Sequence, residues 1–145
     1  MKTIHEKNYD HLIKLVPDLW LLPRYQAMVS RLNGGRDLHL NLLLKEQHQL
    51  IVSLSHYYEV DNHWIPDPDV VIKVSHHKTE KGGDLFVAEV LRYQDSLASM
   101  HNLRYFRRGK AHWGPFLERW LSNCLSLGYV FSLYEGLLCS KAMQG

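Results

Sequence analysis

Long apolar runs are missing from this chain. No stretch approaches the roughly 18–20 apolar residues that a membrane-crossing helix needs, so no membrane partner is expected. The opening residues, Met1 to Lys7, are charged and lead into no apolar segment, so no secretory signal is read there. Cysteine is scarce. Only Cys124 and Cys139 are present, which excludes a disulfide framework, and the pair is read as reduced in a cytoplasmic protein. A strong charge of either sign is lacking too: the net charge is +2 and the isoelectric point near 8.5, too mild to demand a polyanionic partner. No Gly-x-Ser-x-Gly elbow occurs. Gly34-Gly35 and Gly82-Gly83 lack the surrounding residues of a phosphate cradle.

What is present reads as one domain over residues 1–145, long enough to bury its own core. Thr3 and Glu6 have capping-box spacing. Tyr9, Leu12, Ile13 and Val16 follow at i, i+3, i+4 and i+7, which predicts an N-terminal helix stopped by Pro17. Residues 24–32 suit a short helix or an irregular segment, and Asn33-Gly34-Gly35 breaks the chain. Leu38, Leu40, Leu42 and Leu44 then alternate with other residues, and after a short turn Leu50, Val52, Leu54, His56 and Tyr58 do the same. So short a link makes an antiparallel hairpin. Residues 61–68, with two prolines, read as a loop. Val70, Ile72 and Val74 form a third strand, and residues 85–93 a fourth, less cleanly alternating and so a candidate for cover on both faces. A fifth, short strand is expected at 102–106.

The last helix runs from Pro115, read as its first residue, to Gly128, read as its left-handed stop. Phe116, Leu117, Trp120, Leu121, Cys124 and Leu125 share one face. The first half of the tail beyond it should tuck onto the body, and the last few residues should fray. The expected fold is α+β: an antiparallel meander of four to five strands, with an N-terminal and a C-terminal helix packed on one face.

Three segments in order carry a resemblance. They are Glu6-Lys7-Asn8-Tyr9 running to Leu15-Val16-Pro17-Asp18-Leu19, then Trp64-Ile65-Pro66-Asp67-Pro68 leading to Ala88-Glu89-Val90, then Phe116-Leu117-Glu118-Arg119-Trp120-Leu121 with Cys124-Leu125 and Gly128. Together they resemble the YqiB-like family, small bacterial proteins grouped as a domain of unknown function. The chain departs from that pattern at His76-His77, where the family has an aspartate-alanine step, and at residues 105–110. The resemblance implies a bacterial cytoplasmic protein and supplies no activity, cofactor or ligand.

Ten histidines raise the question of metal, but no His-x3-His or Cys-x2-Cys spacing is present. His56 and His76 could meet across strands, joined by Asp84 or Glu89, and a histidine/carboxylate metalloenzyme is the weakest of three alternatives. No metal and no cofactor are assigned. Glu89, in an otherwise apolar strand, either faces water or pairs with Arg92, Arg104 or Lys73, since an unpaired buried carboxylate costs several kcal/mol. Cys124 sits on the buried helix face, where a thiol acts as a small hydrophobe. No catalytic constellation emerges, which points away from an enzyme.

Two binding surfaces remain. Arg104, Arg107, Arg108 and Lys110, followed by Trp113, interleave cations with aromatics just before a helix, a pattern that suits phosphate or nucleic acid. Leu43, Ile51, Tyr57 and Val71 fall on the nominal outer face of the strands, where apolar residues mark a partner surface. The leading expectation is a non-enzymatic interaction module, as a homodimer or with another protein. Nucleic-acid or phosphorylated-ligand binding is the alternative.

Overall fold

The computed structural model of the chain describes residues 1–94 and 109–133. Helix α1 spans Ile4–Leu15, opened by the expected capping box: Thr3 accepts from the Glu6 amide and Glu6 accepts from the Thr3 amide. A 3₁₀ turn at Leu19–Leu21 follows Pro17. Five antiparallel strands then pair in sequence order: β1 Ala27–Ser30, β2 Leu38–Lys45, β3 Gln49–Val60, β4 His63–Lys78 and β5 Asp84–Gln94. A 3₁₀ turn at Gly109–His112 leads into helix α2, Trp113–Leu127. The fold is α+β, as expected.

Period-two alternation decides which residues turn inward. Leu38, Leu40, Leu50, Val52, Leu54, Val70, Ile72, Val74 and Ala88 are at most 1% exposed. They meet Leu12 and Leu15 of α1, Val16 and Leu19 beyond it, and Leu117 and Leu121 of α2 in one core. Asn8, fully buried between the helices, donates to the Gly114 carbonyl across 3.1 Å.

Four expectations need correction. Residues 24–32 contain the edge strand β1 rather than a helix. Tertiary pairing overrides the weak local signal there: Met28 lies opposite Leu40, and Ser30 opposite Leu38. The loop expected at 61–68 is a long hairpin closed by Asp61-Asn62, both at positive φ (51° and 65°), the signature of a two-residue turn with the twist that hairpins require. Pro66 pairs with Tyr57, but β5 pairs with β4 only from Asp69 onward, so among the described residues this stretch has a strand neighbour on one side only. Proline is tolerated on such an edge. Strand β5 is not covered on both faces, since Glu89 and Arg92 are exposed. Its broken alternation comes from a bulge that places Leu91 between the pairs Val71–Arg92 and Ile72–Val90. Pro115 stands third in α2, still among the first-turn amides that lack an intrahelical acceptor.

Gly128 ends α2 as expected, at φ 99°. Its amide donates to Leu125 and the Tyr129 amide to Cys124, the paired bonds of a Schellman stop. The chain then tucks onto the body: the Phe131 amide donates to the Leu15 carbonyl at 2.8 Å, and Tyr129 and Phe131 are buried. The fifth strand expected at 102–106 and the end of the tail lie outside the described residues.

Candidate functional site

The turn after β1, the far end of β3, Pro68 of β4 and the C-terminal half of α2 border an open cavity of about 700 Å³. The sequence builds each wall for a local reason. Gly34 takes φ 78°, a left-handed turn position. Gly35 is tightly packed: a Cβ there would stand 3.1 Å from the Leu32 Cβ and 3.3 Å from the Tyr129 hydroxyl, so either neighbour would have to give way. The turn therefore lies directly on Tyr129, whose hydroxyl donates to the Arg36 carbonyl. Trp120, Asn123 and Cys124 project from one side of α2.

His56 reaches this cavity from β3. Its ring stands edge-on to Trp120, with centroids 5.5 Å apart, and is tilted against Tyr129 at 5.4 Å. Burial pushes its pKa down to about 4, and the positive charges of Arg36 and His39 push the same way. The ring is thus neutral at pH 7. Its Nε2 is buried and has no hydrogen-bond partner among the described residues. Cys124 is 1% exposed, and burial pushes its thiol up to about 12, so it is an inert core thiol, as its position in the sequence suggested. The described lining contains no carboxylate. What the described lining supplies is aromatic surface, the side-chain amides of Asn33 and Asn123, the cationic Arg36, and one neutral imidazole whose Nε2 is shut off from solvent without a partner.

The histidine/carboxylate convergence considered from sequence does not form as expected. His56 and His76 lie toward opposite ends of the sheet: His56 pairs with Leu38, and His76 with Phe86 beside the β2–β3 turn. Glu89 is exposed opposite Lys73 and joins neither. His76 instead meets His48, with 3.3 Å between their Nδ1 atoms, and its Nε2 lies 2.8 Å from Asp84 Oδ1. Among the described residues no group of three or more potential ligands converges.

Of the basic run, Arg104, Arg107 and Arg108 lie outside the described residues. Lys110 falls in the 3₁₀ turn before α2, and Trp113 opens that helix, half-buried. The apolar outer residues share one face of the sheet. Ile51 and Val71 are half-buried, Tyr57 stacks edge-on to His39 at 4.7 Å, and Leu43 is 47% exposed. Leu43 is the extra residue of a bulge between the pairs Leu42–Val52 and Leu44–Ile51, and that bulge turns Leu44, expected on the inner face with Leu38, Leu40 and Leu42, outward to 38% exposure.

Sequence reasoning missed the cavity. Residues 33–35 read only as a breaker, and His48 only as part of a turn. The sole available signal was two glycines flanked by asparagine and arginine, a pattern any exposed turn can carry.

No curated protein and no solved structure matches this chain. A family profile matches residues 11–130, most of its length. The chain therefore belongs to the family described as protein of unknown function (DUF1249).

Proposed function

We propose that this protein is a binding module whose cavity takes a small molecule with a flat ring and a hydrogen-bonding edge. The observation that carries this reading is the buried, unpartnered Nε2 of His56 at the wall of a space of about 700 Å³. Ligand cavities run from about 300 to 1,000 Å³, apolar with a few convergent polar groups. A buried polar atom left without a partner costs about 1–3 kcal/mol, and a ligand that enters beside Trp120 and draws the ring round to pair with that nitrogen recovers it. Trp120 and Tyr129 offer ring surfaces beside that nitrogen.

A thermal-shift and titration panel of free nucleobases, nucleosides, nucleotides and indoles tests this. At least one ring class should raise the melting temperature of the native chain, and His56→Phe should weaken its binding by tenfold or more. If nothing in the panel binds, or if His56→Phe binds equally well, the reading fails. Nucleotides that far outbind nucleosides, with affinity falling steeply as salt rises, would shift recognition toward the basic run that includes Arg104, Arg107, Arg108 and Lys110.

A second role, association through the outer face of the sheet, is supported by a separate feature. Leu43, Leu44 and Leu91 are 47%, 38% and 42% exposed. Ile51 and Val71 belong to the same face, and both described helices pack on the other. If two copies associate there, Ile51→Lys should turn a dimer into a monomer in sedimentation equilibrium while leaving the fold intact. A native chain that is monomeric at high micromolar concentration removes the homodimer.

A further inference from the structure

The chain carries a second polar cluster, away from the cavity, in which two histidines meet nitrogen to nitrogen. His76 stacks on Phe86, with centroids 4.5 Å apart and planes 10° from parallel. Phe86 stacks in turn on Tyr9 at 4.9 Å, and Tyr9 accepts from the Trp20 indole at 2.8 Å. These contacts hold the His76 ring against the body of the protein. Asp84 Oδ1 lies 2.8 Å from His76 Nε2 and 2.7 Å from Lys78 Nζ. A carboxylate only accepts, so Nε2 carries the proton it donates to Asp84, and in the neutral ring Nδ1 is left as a bare lone pair. That lone pair faces Nδ1 of His48 across 3.3 Å. His48 is exposed at the end of the β2–β3 turn, and its carbonyl accepts from the His76 amide at 2.9 Å. The backbones of the two histidines are therefore tied together.

We propose that His48 and His76 form a two-histidine clamp for a divalent transition-metal ion of the zinc type, bound through both Nδ1 atoms. The separation fits: two nitrogens each about 2.0–2.1 Å from a tetrahedral ion stand roughly 3.3–3.4 Å apart. The surroundings fit as well. A ligating histidine usually donates its other ring N–H to a carboxylate, which fixes the tautomer and raises the basicity of the ligating nitrogen, and Asp84 stands in that position. Two imidazoles suit zinc, nickel or copper rather than calcium or magnesium, which prefer oxygen ligands. The clamp supplies two ligands, so the remaining positions on the ion are open to water or an external donor. Lys78 shares the carboxylate of Asp84, and its charge, with only two protein ligands, sets the affinity below that of a closed structural site. This inference is independent of the cavity around His56.

The test is calorimetric titration of the full chain, freed of metal with a chelator, with zinc chloride. One equivalent should bind at micromolar to tens-of-micromolar concentration, and zinc should raise the melting temperature by as much as it prefers the folded arrangement to the unfolded chain. His48→Ala changes an exposed turn residue and should weaken binding at least tenfold with little effect on the zinc-free melting temperature. Asp84→Asn should weaken it about 10–100-fold while leaving the stoichiometry at one. Cobalt offers a second readout: its visible spectrum should report imidazole ligation in the native chain and lose that signature in His48→Ala. The proposal is overturned if zinc does not bind below millimolar concentration. It is equally overturned if His48→Ala binds zinc as tightly as the native chain, because other histidines would then be the ligands.

Discussion

Replacing Trp120 with alanine should destabilise the protein by about 3–5 kcal/mol, the usual cost of deleting a large buried aromatic side chain. Trp120 is 8% exposed and lies in the core cluster that includes Leu117, Leu121 and Cys124 of the same helix. It stacks on Phe116 at 6.2 Å and meets the edge of His56. It also stands between the core and the cavity, so its removal joins that space to the helix–sheet interface and lets more water reach His56. Urea unfolding of the two chains measures the loss. A difference under about 1 kcal/mol, well below the usual cost, would mean that α2 is not held to the sheet through this residue, and the cavity wall would have to be redrawn.

Stability should also fall as the solution is acidified from pH 6.5 to pH 4, with a measurable part of the loss traceable to His56. An unfolded chain protonates this ring near 6.5, whereas the folded chain holds it neutral down to about 4. Between those values the unfolded state binds the extra proton. The contribution of the neutral ring is therefore complete above about pH 6.5 and is lost as pH falls through that window. A tenfold difference in proton affinity between the two states corresponds to about 1.4 kcal/mol. The ring is half-buried, and the water that still reaches it screens part of the effect, so the expected loss at the acid end is roughly 1–3 kcal/mol. Carboxylates titrate in the lower part of the same range, so the informative quantity is the difference between the native chain and His56→Phe, measured by urea unfolding across the window from neutral pH downward. The phenylalanine variant should show a flatter profile. Parallel profiles would mean that the ring is solvated, and the cavity would lose its central polar group. In the Trp120→Ala background the His56 contribution should shrink, because the burial that depresses its pKa is relieved. The two effects are therefore expected to be non-additive.

The framework was legible wherever a periodic pattern coincided with a chemical stop. The capping box at Thr3 and Glu6, the alternation of Leu38, Leu40 and Leu42 in β2 and the glycine at 128 each state a local preference that the fold keeps, while Leu44, read in the same alternation, is turned outward. Legibility failed at three kinds of place. The segment around β1 has only weak local preference, and its conformation is decided by a neighbouring strand. Pro66 and Pro68 signal a loop in any local reading, but a strand with a neighbour on one side tolerates them. The bulges at Leu43 and Leu91 shift the alternation by one residue, and a single inserted residue leaves no mark in composition.

For the candidate sites the division is sharper. Sequence identified His76 and Asp84 as possible neighbours but paired them with His56, because strand order alone does not say how far along each strand two residues lie. Register does, and it sets His76 beside His48 while sending His56 to the cavity near Trp120.

By itself, then, the amino-acid order determined the class of fold, the two helices, most of the strands and the residues of the core, because helix and strand periodicity and end-capping act over a few residues. Only the tertiary structure decided which histidines meet, where the cavity opens and which side of the sheet stays bare among the described residues. Those depend on strand register, bulges and the docking of α2, which join residues dozens of positions apart through contacts that no local pattern encodes.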